Sequence, residues 1–236
     1  MCGRITQRSS PKRLSLGLTT MALVEPLHTH APRYNGAPGQ EHWVIRENPK
    51  TSERTLDRLS WGLIPHWCTD ANGGRRPINA KAETVAVLPS FRDAYYRRRC
   101  LLPVDNFFEW RATKGAKAKQ PYAIAMKSGE PFALAGIWEN WQKPGSGLWT
   151  RTRTFAVITT AANELVRDIH DRMPVIIPPV AYDRWLSILE PDPRDLLVPF
   201  PAEPMRIWPI STRVNAPEND DAQVQDPVEQ SEASLF

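Results

Sequence analysis

The feature that most constrains this chain is its proline content, 23 of 236 residues, scattered through the body rather than gathered in one segment. Proline lacks an amide donor and clashes with the preceding helical turn, so this spread argues against long helices and for short strands joined by turns. HWVIRE, TLDRLSWGLI, RCLLPVDNFFEW, PYAIAMK, PFALAGIWENW and TFAVITTAA read as strands, being aromatic or β-branched and bounded by Pro, Gly or charged loops. Helical patterning is confined to residues 90–98, residues 163–169 and VAYDRWLSIL, which lies between Pro178-Pro179 and Pro191. The expectation is an α+β fold, a single domain dominated by barrel-like antiparallel β-sheet with a few short helices.

Charge divides the chain. The whole carries +4, yet no Lys or Arg follows Arg213, and residues 216–236 hold six acidic side chains, leaving about +10 on the body. A basic body suits a polyanionic partner. The expected organisation is one domain over residues 1–215 and a disordered acidic tail over residues 216–236, either a plain solvated tail or a competitor for the basic surface. No apolar run is long enough for a membrane span, and MCGRITQRSSPKR lacks the apolar core of a signal peptide, so the expected location is the cytoplasm, without membrane contact. Three widely spaced cysteines with no CxxC argue against a disulfide framework or a zinc site, and neither metal nor cofactor is expected.

One of those cysteines follows the initiator methionine. A small second residue permits removal of Met1, which alone accounts for many such residues. Its chemistry is nonetheless unusual, because the mature form would start at Cys2 with an α-amine of pKa about 7.7–8.0 and a thiol of about 8.5 on one residue. Such a pair traps an aldehyde: the amine forms a Schiff base and the thiol closes it to a thiazolidine. It could instead attack an acyl group.

Glu109 in DNFFEW is a carboxylate in an aromatic strand. It is either a proton-transfer group with a raised pKa or a solvent-facing strand end. His170 in IHDRMPVII is either a proton shuttle at a cleft or a helix C-cap. Asn79 in RPINAKAET lies in a loop with Arg75, Arg76 and Lys81, suited to a sugar or phosphate oxygen or to a turn. WGLIPHWC carries Trp61 and Trp67, a base-stacking platform or ordinary core packing. Cys100 reads as a small buried hydrophobe.

MCGR, RYNGAPG, WGLIPHW, INAKAET, FFEW, TTAAN, IHDRMPV and ISTRVN follow one another in an order that resembles the SOS response-associated peptidase (SRAP) family, from Cys2 to about Asn215. The resemblance implies an abasic-site sensor of single-stranded DNA that forms a covalent thiazolidine crosslink through Cys2. Glu109 then matches the acid/base carboxylate, His170 the histidine of ring opening and imine proton transfer, and Asn79 the residue that positions the sugar. Arg4, Asn35 and Arg172 match residues lining the DNA cleft, with Lys81 as a further phosphate contact and Trp67 as an aromatic wedge beside the lesion. Peptidase activity, autocatalytic Met1 removal and a lyase side reaction are also implied, as are a monomer, a nucleoid-associated place in the cytoplasm and replication-fork proteins as partners. Two positions depart from the family pattern. Lys81 stands where an arginine is common, so a bidentate contact becomes a point charge, and Cys68 replaces a second aromatic beside Trp67. A thiol peptidase acting through Cys2, and a noncatalytic DNA reader, remain the rival readings.

Overall fold

The computed structural model describes residues 2–18, 21–23, 31–48, 51–70, 76–112, 118–142 and 151–228. Met1, Arg75 and residues 113–117 lie outside them. In chain order the elements are β1 (Ile5–Gln7), α1 (Pro11–Leu14), β2 (Met21–Leu23), β3 (Arg33–Gly36), β4 (Glu41–Glu47), β5 (Arg54–Trp61) and β6 (Asn79–Lys81). There follow α2 (Arg92–Arg97), β7 (Arg99–Val104), β8 (Asn106–Arg111), β9 (Gln120–Met126), β10 (Phe132–Gln142), β11 (Arg151–Ala161), β12 (Arg172–Pro174), β13 (Ile176–Ile177), α3 (Tyr182–Leu186) and β14 (Met205–Pro209). The fold is α+β and mostly antiparallel sheet, and the α-helices among the described residues are short, as the prolines require.

Two sheets share the core. The smaller runs β14–β9–β8–β1–β3, antiparallel throughout. The larger runs β12–β11–β10–β7–β4–β5–β2, and β5 also pairs in parallel with β11 through Ser60–Thr154 and Trp61–Phe155, closing β11, β10, β7, β4 and β5 into a ring. The Trp61 and Phe155 rings stack at that seam, 5.9 Å apart, and His42 meets both edge-on. Period-two alternation divides the ring's side chains into two layers. Val44, Leu59, Leu102, Leu134 and Val157 pack with Ile5, Phe107 and Ile124 of the smaller sheet, while Ile45, Leu56, Leu101, Ala135 and Ile158 pack with Tyr95 of α2 and Trp185 of α3.

Buried arginines fasten this frame. Arg99 donates to the carbonyls of Tyr95, Trp185, Ser187 and Glu190, tying β7 to both helices. Asp57 on β5 accepts from Arg46 on β4 at 2.7 Å and from Arg153 on β11 at 2.8 Å, on either side of the seam.

Four expectations need correction. RCLLPVDNFFEW is two strands in different sheets, because Asp105 turns the chain by accepting the amides of Arg8 and Ser9 and the Ser9 hydroxyl. Residues 163–169 form turns rather than a helix: the segment is too short to propagate and is held by Asn163, whose Oδ1 accepts the Val166 amide at 3.0 Å. Asn79 is on a strand, paired with Val157 of β11, and not in a loop. Residues 216–228 are ordered against the body. Val224 is buried, Asp220 accepts the backbone amides of Tyr34 and Asn35 at 2.6 and 2.7 Å, and Ile210 bridges to Pro227. Local capture of the acidic residues by amides wins over solvation; residues 229–236 lie outside the described part.

Gly36 is required by close approach, since a Cβ there would lie 2.4 Å from the ring of buried His42. Gly36→Ala is expected to destabilise the protein by about 1–3 kcal/mol in denaturant unfolding, as overpacking of a filled core does.

Candidate active site

Cys2 lies three residues before β1. Beyond the Ile5–Phe107 pair, the Arg4 carbonyl accepts the Phe108 amide at 3.0 Å, carrying the β1–β8 pairing back towards the chain start and Cys2 towards Glu109. The cysteine is fully buried, in the layer that includes Trp61, Phe107 and Met173. Its carbonyl accepts from Asn79 Nδ2 at 2.8 Å, so β6 fixes the backbone of Cys2 from the larger sheet. Asn79 Oδ1 is buried with no partner among the described residues, leaving one acceptor.

Burial pushes the Cys2 thiol well above its ordinary value, and the neighbouring Glu109 charge adds to the rise. Glu109, 2% exposed, is itself pushed up to about 7 by burial, against the positive chain terminus and Lys119. A carboxyl poised near neutrality can both give and take a proton. His170 follows the turn 164–169, and its amide is held by the Val166 carbonyl. Its Nδ1 lies 2.9 Å from Asp171 Oδ1 and 3.0 Å from the Arg172 amide. Burial, then the positive chain terminus, pull its pKa below the ordinary histidine value, so it is largely neutral at pH 7. Cys2, Asn79 and Glu109 thus come together from three separate stretches of chain, and His170 shares with Glu109 the fields of the chain terminus and Lys119.

The expected DNA contacts divide. Trp67 is 57% exposed and Lys81 is exposed at the end of β6, both open to a ligand. Arg172 is engaged: its guanidinium forks onto Glu83 and donates to the Thr159 carbonyl. Asn35 is fully buried, with Nδ2 on the carbonyls of Val214, Ala216 and Asn219 and Oδ1 accepting from Arg4. Arg4 also donates to Val214 O and lies 5.9 Å over the Trp110 ring. These two residues brace residues 214–219 in this structure, and the Asn35 amide is fully engaged. Sequence reasoning passed over Glu83, whose only signal was an acidic residue four positions after Asn79. Among the described residues, His66, Asp93 and Glu139 bring ligand atoms within 4.8 Å of one another, but Arg98 Nη2 already stands 2.7 Å from Glu139 and 2.9 Å from Asp93, in a cation's place. No described helix is long and apolar enough to cross a membrane.

A mostly antiparallel α+β domain thus buries the second residue of the chain, a cysteine, beside a near-neutral carboxyl and an asparagine amide. The chain belongs to the SRAP family: the family model "SOS response associated peptidase (SRAP)" matches residues 1–217. It is 40% identical over 223 residues to abasic site processing protein YoqW of Bacillus subtilis, covering 93% of this chain and 96% of that protein. It is 29% identical over 240 residues to abasic site processing protein YedK of Escherichia coli, covering 97% and 100%. A crystal structure of a Bacteroides thetaiotaomicron protein superposes with a TM-score of 0.82 at 26% identity, covering 97% of this chain and all of the other.

The Glu109 shift has a consequence for stability. A carboxyl whose folded pKa lies above its unfolded value binds protons preferentially in the folded state, so stability falls as pH rises from about 4.5 to about 7. Glu109→Gln removes this term. It is expected to be more stable than the parent at pH 8, by up to about 3 kcal/mol, and the difference should vanish near pH 4 in denaturant unfolding.

Proposed function

We propose that this protein processes abasic sites in single-stranded DNA by covalent capture through Cys2. The observation that carries the reading is the Cys2 site itself, the second residue of the chain held by Asn79 beside a carboxyl with a pKa of about 7. The names of its relatives, abasic site processing proteins, support the same substrate.

Once Met1 has been hydrolysed away, the α-amine of Cys2 adds to the ring-opened aldehyde of the abasic sugar. The carbinolamine loses water to give an imine. The thiol then adds to the imine carbon and its proton passes to nitrogen, leaving a five-membered thiazolidine and one water for each aldehyde consumed. The reaction needs no thiolate beforehand, which agrees with a thiol whose pKa is raised. Glu109 relays the protons: it takes one from the attacking amine and returns one to the departing hydroxyl. Neutral His170 is suited to ring opening, accepting the sugar hydroxyl proton as the aldehyde forms. Asn79 holds the Cys2 backbone and offers Oδ1 to the sugar or to the new ring nitrogen. Exposed Trp67 and Lys81 supply stacking and phosphate contact for the flanking strand. A general thiol peptidase is less well served, because it needs the thiolate that burial and Glu109 disfavour.

Intact-mass spectrometry after incubation with an abasic oligonucleotide tests this. The Met1-free protein should gain the mass of the oligonucleotide less one water and keep it through denaturation. Cys2→Ala should leave only an imine that needs borohydride to persist, and Asn79→Ala should slow capture about 10- to 100-fold. A denaturation-stable adduct of unchanged yield in Cys2→Ala would overturn the assignment.

A further inference from the structure

The smaller sheet has a second face, and the Cys2 chemistry does not use it. Glu109 and Phe107 share one side of β8, so Asn106, at odd spacing from both, lies on the other. The register places Thr6 of β1 and Ala125 of β9 beside Asn106, and Arg206 of β14 beside Ala125. Residues 210–228 cover part of this outer face, packing Val214 and Val224 on Phe108 and Ala123. Where that cover ends, a cleft of about 360 Å³ remains, lined by Asn106, Arg8, Arg206 and Trp208, with Gln225 of the C-terminal segment as one wall.

Three features mark this cleft as a site. Asn106 is 2% exposed, yet neither its Nδ2 nor its Oδ1 has a hydrogen-bond partner among the described residues. Ala125, its neighbour on β9, carries nothing that could bond it. An unsatisfied buried amide costs about 1–3 kcal/mol, a cost a ligand with a donor and an acceptor would remove. Secondly, the exposed guanidiniums of Arg8 and Arg206 are paired with no carboxylate among the described residues, and Arg206 is oriented by the Trp208 ring at 4.7 Å. Thirdly, Asp105, the acid of the lining, is occupied by the amides of Arg8 and Ser9 and the Ser9 hydroxyl, so its charge is already engaged.

We propose that this cleft binds a nucleotide unit, its phosphate held by Arg8 and Arg206 and its base edge paired with the Asn106 amide. An asparagine amide presents a donor and an acceptor side by side, the complement of the adenine N6/N7 edge, and two guanidiniums suit a phosphate. A cleft of this volume accommodates a mononucleotide. The ligand is either a free nucleotide or one unit of a strand passing behind the sheet. The site stands independently of the Cys2 reaction.

Calorimetric titration of the full chain with dAMP, a dA12 strand and inorganic phosphate tests it. Saturable binding of dAMP or dA12 is expected, weakened at least tenfold by Arg8→Gln with Arg206→Gln and by Asn106→Leu, with adduct formation at Cys2 unchanged. Binding of dAMP identifies a free nucleotide; sensitivity of dA12 alone to these substitutions identifies a strand. The paired arginine variant changes only exposed side chains, so it remains informative if Asn106→Leu fails to fold. No saturable binding, binding indifferent to the arginine substitutions, or inorganic phosphate binding as tightly as both nucleotide ligands would overturn the proposal.

Discussion

The structure depends on an interior position for its first strand. β1 lies between β8 and β3, so the start of the chain is hydrogen-bonded on both sides rather than left at a sheet edge. A chain terminus normally frays, because few contacts offset the entropy of ordering it. Here the ladder on either side and the burial of Cys2 and Ile5 provide those contacts. Cys2 is held in this way against Asn79 and beside Glu109, side chains from two other parts of the chain.

The C-terminal segment completes that arrangement. Asp220 accepts two amides of β3, Arg33 approaches it at 3.2 Å, and Asn35 gathers three carbonyls of residues 214–219. The strand beside β1 is thus fastened by residues 214–220, and Arg4, two positions from Cys2, reaches the same segment. Charge separation along the sequence resolves into short hydrogen bonds rather than a long-range field. The same segment also leaves part of the outer face open, which creates the Asn106 cleft.

Two buried charged groups hold the remainder. Arg99 spends its donors on carbonyls of α2, α3 and the segment just after α3, and Asp57 sits between two arginines across the ring seam. Buried ions are costly unless fully partnered, so such groups specify geometry more than they add stability. They set β4, β5, β7 and β11 at fixed separations, and β6 takes its register from β11 to bring Asn79 to Cys2.

Much of this was legible in the chain. Proline spacing excludes long helices, alternating runs mark β4, β5, β9, β10 and β11, and the ordered motifs carry the family and four candidate site residues. These are local properties, and local propensity decides them. Other properties are not local. Asp105 divides RCLLPVDNFFEW between two sheets only because Arg8 and Ser9 are nearby, and Asn35 became a brace because the chain end folds over it. Whether Glu109 is a solvated strand end or a near-neutral acid depends on its burial, which no stretch of sequence specifies alone. The sequence by itself determined the strands, the candidate nucleophile and the family; the tertiary structure decided which side chains share a buried space, because desolvation and hydrogen-bond partners come from residues tens to hundreds of positions away.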